Sequence, residues 1–114
     1  LHLPLNDSTR GMLGSDEFAT MKEGAVLINT CRGPVVDEPH LIAALESGRL
    51  RGAGLDVFVE EPPGTDNPLL SMKNVVVTPH VAGVTRDTWA RRARFAFANM
   101  ERVSRGEDPL SRVV

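Results

Sequence analysis

Three short apolar runs, each ending in a residue suited to chemistry, constrain the fold of this sequence more than anything else in it. Ala25-Val26-Leu27-Ile28 runs into Asn29-Thr30-Cys31-Arg32-Gly33-Pro34-Val35-Val36-Asp37. Ala53-Gly54-Leu55-Asp56-Val57-Phe58 leads to Glu61, and Val75-Val76-Val77-Thr78-Pro79 leads to His80. A continuous apolar run of this length is the pattern of a strand covered on both faces, as in parallel sheets, and not of a half-exposed hairpin. With the three strands parallel and neighbouring, Arg32, Glu61 and His80 share one edge of a sheet.

The segments between the runs supply the helices that a parallel sheet requires. Residues 1–4 read as the end of a strand, and Asn6-Asp7-Ser8-Thr9 as a polar loop. Ser15 is placed to cap a helix over about 15–22, with Asp16 and Glu17 in its first turn, Phe18 and Met21 inward and Gly24 at its C′ position. Asp37 caps a second helix with Pro39 in its first turn, an apolar stripe of Leu41, Ile42 and Leu45, and an end at Ser47-Gly48. The strand over 52–58 carries two glycines, which imply close approach of backbone or ligand. A polar excursion over 60–68 with three prolines follows, then a helical turn over 69–71 and the last strand over 75–78. Thr85 caps a long final helix on which Trp89, Ala93, Ala96, Met100 and Val103 recur at three- and four-residue steps, and Gly106 closes it. Trp89 and Phe97 read as helix-packing residues.

Composition narrows the class. A chain of 114 residues supports one core, and 41% hydrophobic with 25% charged residues is ordinary for a globular protein. A formal charge of -2 gives no electrostatic reason to expect nucleic acid or an anionic membrane as partner. The one cysteine forms no internal disulfide, and no Cys/His spacing resembles a metal site, so a reducing cytoplasm is the expected compartment. The chain starts at Leu1 and not at Met, on what reads as half a strand, and is expected to be a fragment.

Ligands of open parallel sheets bind beyond the carboxyl ends of the strands, which gives weight to Arg32, Glu61 and His80. A guanidinium is a planar fork able to grip a carboxylate, although an isolated arginine more commonly closes a loop through backbone carbonyls. A histidine beside a carboxylate stays protonated closer to neutral pH and can give a proton to an oxygen becoming an alkoxide. Each alone is bland, since a lone histidine is usually structural and Glu60-Glu61 reads equally as a solvated turn. Together they match what reduction of a 2-oxo acid requires, with a nicotinamide to supply hydride. Asp56, in an apolar run, needs a partner: a carboxamide, a backbone amide or Arg32. Cys31 lies beside an arginine but has no adjacent base in sequence, and His2 and His40 read as structural or surface residues.

Three motifs, at 29–37, 54–62 (Gly-Leu-Asp-Val-Phe-Val-Glu-Glu-Pro) and 78–83 (Thr-Pro-His-Val-Ala-Gly), with the opening stretch at 2–14, resemble the D-isomer-specific 2-hydroxyacid dehydrogenases. The resemblance implies an α/β fold: the C-terminal half of a Rossmann-like parallel sheet flanked by helices, with a long C-terminal helix, in a fragment of a two-domain protein. Residues 1–84 would be half of the dinucleotide-binding domain, and 85–114 a helix and tail returning toward a substrate domain. It implies Arg32 as the substrate-binding arginine, Glu61 as partner of the histidine and His80 as general acid/base. Thr30, Cys31, Arg32 and Asp56 would meet the nicotinamide end of NAD or NADP, with His80, Val81, Ala82 and Gly83 alongside and Pro4 and Thr9 lining the cofactor from the opening loop.

Glutamate at 61 argues against formate dehydrogenase, a relative with glutamine there, while phosphite dehydrogenase stays compatible. The family's glycine-rich phosphate loop and the residue that selects NAD over NADP are expected upstream of Leu1. Negligible activity is expected of these 114 residues in isolation, and a homodimer of the full-length protein. The competing class is a dinucleotide-sensing scaffold, like the C-terminal-binding transcriptional corepressors of the same family. The near-neutral charge and the lack of extra interaction segments give it little support.

Overall fold

The computed structural model describes residues 1–113; Val114, the last residue of the expected tail, lies outside them. The chain divides into two compact units, Leu1–Ala82 and the residues from Gly83 onward. In order, the first holds α1 (Ser15–Thr20), β1 (Ala25–Asn29), a 3-10 turn (Gly33–Val35), α2 (Glu38–Glu46), β2 (Leu50–Leu55), a second 3-10 turn (Pro68–Leu70) and β3 (Val75–Val77). The second holds α3 (Arg86–Ser104).

The three strands form one parallel sheet in the order β1-β2-β3, so all three exits lie on the same edge. Leu27 pairs with Ala53, and Ala53 in turn with Val75. The α2 crossover that joins β1 to β2 starts at Asp37, whose carboxylate accepts from the His40 N–H at 3.1 Å, and Pro39 sits in the first turn as expected. Leu41 and Leu45 are buried, Ile42 packs against the core, and Gly48 ends the helix with φ 75°. Gly52 shows the expected close approach, to backbone: a Cβ there would stand 2.7 Å from the Asn74 carbonyl oxygen.

Several expectations need correction. The expected covering of the strands on both faces does not hold. Leu27 and Asn29 are buried, whereas Val26 and Ile28 are half exposed and Val76 is 70% exposed. Phe18 of α1 and Leu41, Ala44 and Leu45 of α2 join one core with Leu27, Leu50, Ala53 and Leu55, so these two helices serve one side of the sheet. Residues 1–4 form no strand, although the Leu1 amino group donates to the Ile28 carbonyl at 2.7 Å. The N-cap of α1 is Gly14 and not Ser15, because Glu17 reaches back to accept from the Gly14 N–H at 2.9 Å. That bond holds the Glu17 carboxyl below its usual range.

The helix stops at Thr20 and not at 22, so Gly24 is a turn residue with φ 71° and not a helix C′. The C-terminal carbonyls of α1 are met from far along the chain. The Arg49 guanidinium donates to Phe18 at 2.9 Å, to Ala19 at 2.5 Å and to Met21. The second strand is Leu50–Leu55, earlier than the expected 52–58, which puts Asp56 just beyond its end and not inside it.

Thr85 caps α3 as expected, accepting from the Thr88 N–H at 3.1 Å, and Gly106 closes it with φ 75°. No described residue of α3 is buried: Trp89, Phe97, Met100 and Val103 are all exposed. No helix of the described residues is long and apolar enough to cross a membrane.

Candidate functional site

The exits of the three strands carry the residues singled out above. Beyond β1 the chain turns sharply around Asn29, which is 1% exposed. Its Oδ1 accepts from the Cys31 N–H and the Cys31 thiol, each at 3.1 Å, and its Nδ2 donates to the Arg32 carbonyl at 3.0 Å. A buried polar side chain at a strand end must be satisfied locally, and here it shapes the turn. Cys31 is therefore buried and engaged, not an exposed thiol. Arg32 is exposed, and its Nη1 donates to its neighbour's carbonyl, Cys31 O, at 2.5 Å. The loop-closing behaviour of an isolated arginine thus occupies one N–H and leaves four.

This turn is pressed against the exit of β2. A Cβ at Gly33 would stand 1.9 Å from the Phe58 carbonyl carbon and 2.0 Å from its oxygen, so only glycine permits the contact. Past that contact, Glu61 folds back so that Oε1 accepts from the Phe58 N–H at 3.0 Å and Oε2 meets His80 Nδ1 at 2.8 Å. The Glu61 carboxyl is held below its usual range, first by the His80 hydrogen bond and then by the Phe58 N–H. Burial opposes this, and the His80 and Arg32 charges add to the lowering.

Asp56 is 4% exposed and is met mostly by backbone. Oδ1 accepts from the Thr78 hydroxyl and, at 2.8 Å, from the Val81 N–H; Oδ2 accepts from the Ala82 N–H at 2.8 Å. The expected backbone amide is among the partners of this carboxylate and Arg32 is not. Burial pushes the Asp56 carboxyl up, but the Thr78 hydroxyl, the Ala82 and Val81 amides and the His80 charge outweigh it, and it sits below its ordinary value. Between these anchors His80 has φ 54°, a left-handed conformation that costs a non-glycine residue roughly 1–2 kcal/mol.

A cavity of about 530 Å³ opens on this edge, with Asp56, Glu61, Thr78 and His80 beside apolar Phe58, Leu70 and Val77. Its size and its mixture of apolar wall and a few polar groups suit a small-molecule site. Arg32 is not part of its wall. Thr30 is half buried at the β1 exit, its hydroxyl 3.4 Å from the Leu1 carbonyl and from His2 Nδ1. Pro4 and Thr9 are brought together in their own loop, where the Thr9 hydroxyl donates to the Pro4 carbonyl at 2.8 Å and Asn6 Oδ1 accepts from Ser8 and Thr9. Val81 and Ala82 stand on the Asp56 carboxylate, whereas Gly83 belongs to the second unit. His40 is a surface residue paired with Asp37 at 2.9 Å. Among the described residues no group of three or more His, Cys, Asp or Glu could hold a metal ion.

Two contributors escaped the sequence reading. Asn29, a polar residue closing an apolar run, is a local brace. Thr78, two residues before the histidine, carries the hydroxyl that meets Asp56.

Asp56 is acceptor-only and Oδ2 has a single donor, leaving a position for the N–H of a carboxamide. The glycine-rich turn that would hold a pyrophosphate is not among the 114 residues.

Comparison with known proteins identifies the family. Residues 1–82 match the model of the D-isomer specific 2-hydroxyacid dehydrogenase NAD binding domain. Glyoxylate/hydroxypyruvate reductase B of Cronobacter sakazakii is 50% identical over 105 residues, 92% of this chain and 32% of that protein. Among solved structures, the D-isomer specific 2-hydroxyacid dehydrogenase of Xanthobacter autotrophicus Py2 in complex with NADPH and MES aligns with TM-score 0.82 and 43% identity. The alignment covers 99% of this chain and 46% of that one. The NAD-complexed enzyme of Lactobacillus delbrueckii ssp. bulgaricus aligns with TM-score 0.90 and 35% identity, over 99% of this chain and 38% of that one. The chain spans about a third of the length of the curated relatives it matches.

Proposed function

Because the chain belongs to the D-isomer-specific 2-hydroxyacid dehydrogenases through their NAD-binding domain, we propose that it forms part of an oxidoreductase. The reaction interconverts a small D-2-hydroxy acid and its 2-oxo acid, with NAD or NADP as redox partner. Residues 1–84 act as the C-terminal half of the dinucleotide-binding domain, and the helix beyond leads back toward a substrate domain. The observation that carries the reading is the His80 Nδ1 to Glu61 Oε2 contact of 2.8 Å. It ties up one ring nitrogen with a carboxylate and leaves Nε2 for a substrate oxygen.

Asp56 and the backbone at Thr30 and Cys31 would hold the nicotinamide end. Bound there, a dihydronicotinamide would supply the hydride for reduction of the oxo acid. His80 gives its Nε2 proton to the carbonyl oxygen as that oxygen takes up charge, and Glu61 stabilises the ring while it is protonated. Arg32 grips the substrate carboxylate with the guanidinium N–H groups that the Cys31 carbonyl leaves free. In the reverse direction neutral His80 takes the hydroxyl proton.

Steady-state kinetics on the whole protein with D-2-hydroxy acids and their oxo acids tests this. His80→Ala is expected to lower kcat by about 10²–10⁴-fold, the usual worth of a positioned acid/base. Arg32→Ala is expected to act chiefly on KM for the oxo acid. A rate unchanged in His80→Ala would overturn the assignment.

A further inference from the structure

The same edge of the sheet contains a second layer that fixes where the histidine stands. Pro79 and His80 are flanked by Thr78 on one side and by Val81 and Ala82 on the other, and all three flanking residues donate to the carboxylate of Asp56. The chain from 78 to 82 is thus curled around one buried anion. Thr78 is also tied to the sheet, since its N–H donates to the Leu55 carbonyl at 2.9 Å, and its own carbonyl accepts from the His80 N–H at 3.0 Å. It is therefore the point where the curl joins β2.

His80 has φ 54° in the middle of the curl. A left-handed non-glycine residue persists only where its surroundings over-determine it. The side-chain bond to Glu61 orients the imidazole about its own axis but does not choose the backbone conformation from which the ring projects. That choice falls to the three bonds on Asp56.

We propose that Thr78 is a positioning residue. Its hydroxyl holds the Asp56 carboxylate in the orientation that grips the Val81 and Ala82 amides, and this grip keeps His80 left-handed and its ring against Glu61. The catalytic part of the proposal rests on the reading of His80 as acid/base given above; the backbone part does not. Thr78 also faces the cavity, and in this scheme its hydroxyl acts through Asp56. Valine in its place has the same shape without the donor, so the carboxylate keeps the Val81 and Ala82 amides but loses the bond that ties it to the residue anchored on β2. Serine keeps the donor.

Two measurements separate the two parts. In the whole protein with its histidines selectively labelled, NMR of His80 reads the conformation directly, since a positive φ gives a strong intraresidue HN–Hα cross-peak. The peak is expected in the wild type and in Thr78→Ser, and is expected to be lost in Thr78→Val with the rest of the spectrum retained. In the whole protein, Thr78→Val is expected to lower kcat on the order of 10- to 100-fold, the scale of a misplaced catalytic group. KM for the oxo acid is expected to stay essentially unchanged, dinucleotide affinity is expected to fall with the disturbed Asp56 carboxylate, and Thr78→Ser is expected to recover both kcat and that affinity.

Persistence of the His80 cross-peak in Thr78→Val overturns the backbone part. Its loss with kcat unchanged overturns the positioning role. A general loss of structure in Thr78→Val, with Thr78→Ser equally slow, also overturns it, because the hydroxyl would then not be the group that matters. If instead His80→Ala leaves turnover intact, the dehydrogenase reading fails, and the cross-peak still decides whether Thr78 holds the curl.

Discussion

At the exit of β1 the turn is built around a neutral carboxamide, Asn29, and at the exit of β3 it is built around a carboxylate, Asp56, which reaches across from the end of β2. Both side chains are buried, each engages three groups of the turn it serves, and each turn presents one residue of the candidate site, Arg32 or His80. The carboxamide is donor and acceptor at once, so it joins a carbonyl and an N–H on the two sides of a tight turn. The carboxylate only accepts, so it gathers N–H and O–H groups and needs a chain that curls to present them. The second arrangement is stronger per bond and depends on pH, while the first does not.

The largest break comes where the two neighbouring exits meet. Gly33→Ala puts a methyl carbon inside the Phe58 carbonyl, so the β1 turn and the β2 exit must separate. The expected cost is about 3 kcal/mol, the top of the overpacking range, seen as a lowered urea midpoint. Next come the braces themselves. Asp56→Ala removes charge-assisted bonds and is expected to cost about 2.5 kcal/mol, against about 1.5 kcal/mol for the neutral bonds lost in Asn29→Ala. An equal or reversed order in urea titrations would show that charge confers no advantage at the β3 exit.

The smallest effect sharpens the contrast most. The Asp56 carboxyl titrates lower folded than unfolded, so its stabilisation is complete above the ordinary carboxylate value of about 4 and is lost as pH falls through the lowered folded value. The stability gap between wild type and Asp56→Ala should shrink on acidification below about pH 4. The gap to Asn29→Ala should stay flat over the same range. A parallel decline of both gaps would place the titrating group elsewhere.

How much of this could be read from sequence depends on whether a residue's role is local. The parallel order of the strands, the Asp37 cap and the common edge for Arg32, Glu61 and His80 follow from apolar runs and short-range capping rules, and they were legible. The Gly14 cap was not, because the polar group that satisfies the start of α1 is the Glu17 side chain three residues later, and serine at 15 is the commoner signal. The uncovered sheet face and the exposed stripe of α3 were misread because periodicity states which residues are apolar, not what lies against them. Thr78 was missed because its partner is 22 residues earlier and its own neighbours give no hint of it.

The Arg49 contacts also bear on the order of events in folding. A six-residue helix cannot hold itself in water, and the carbonyls at the end of α1 find their donor about thirty residues downstream. That guanidinium arrives only when β2 has paired beside β1. Helix α1 is therefore expected to consolidate late, so that substitutions in it should speed unfolding and leave the refolding rate almost untouched.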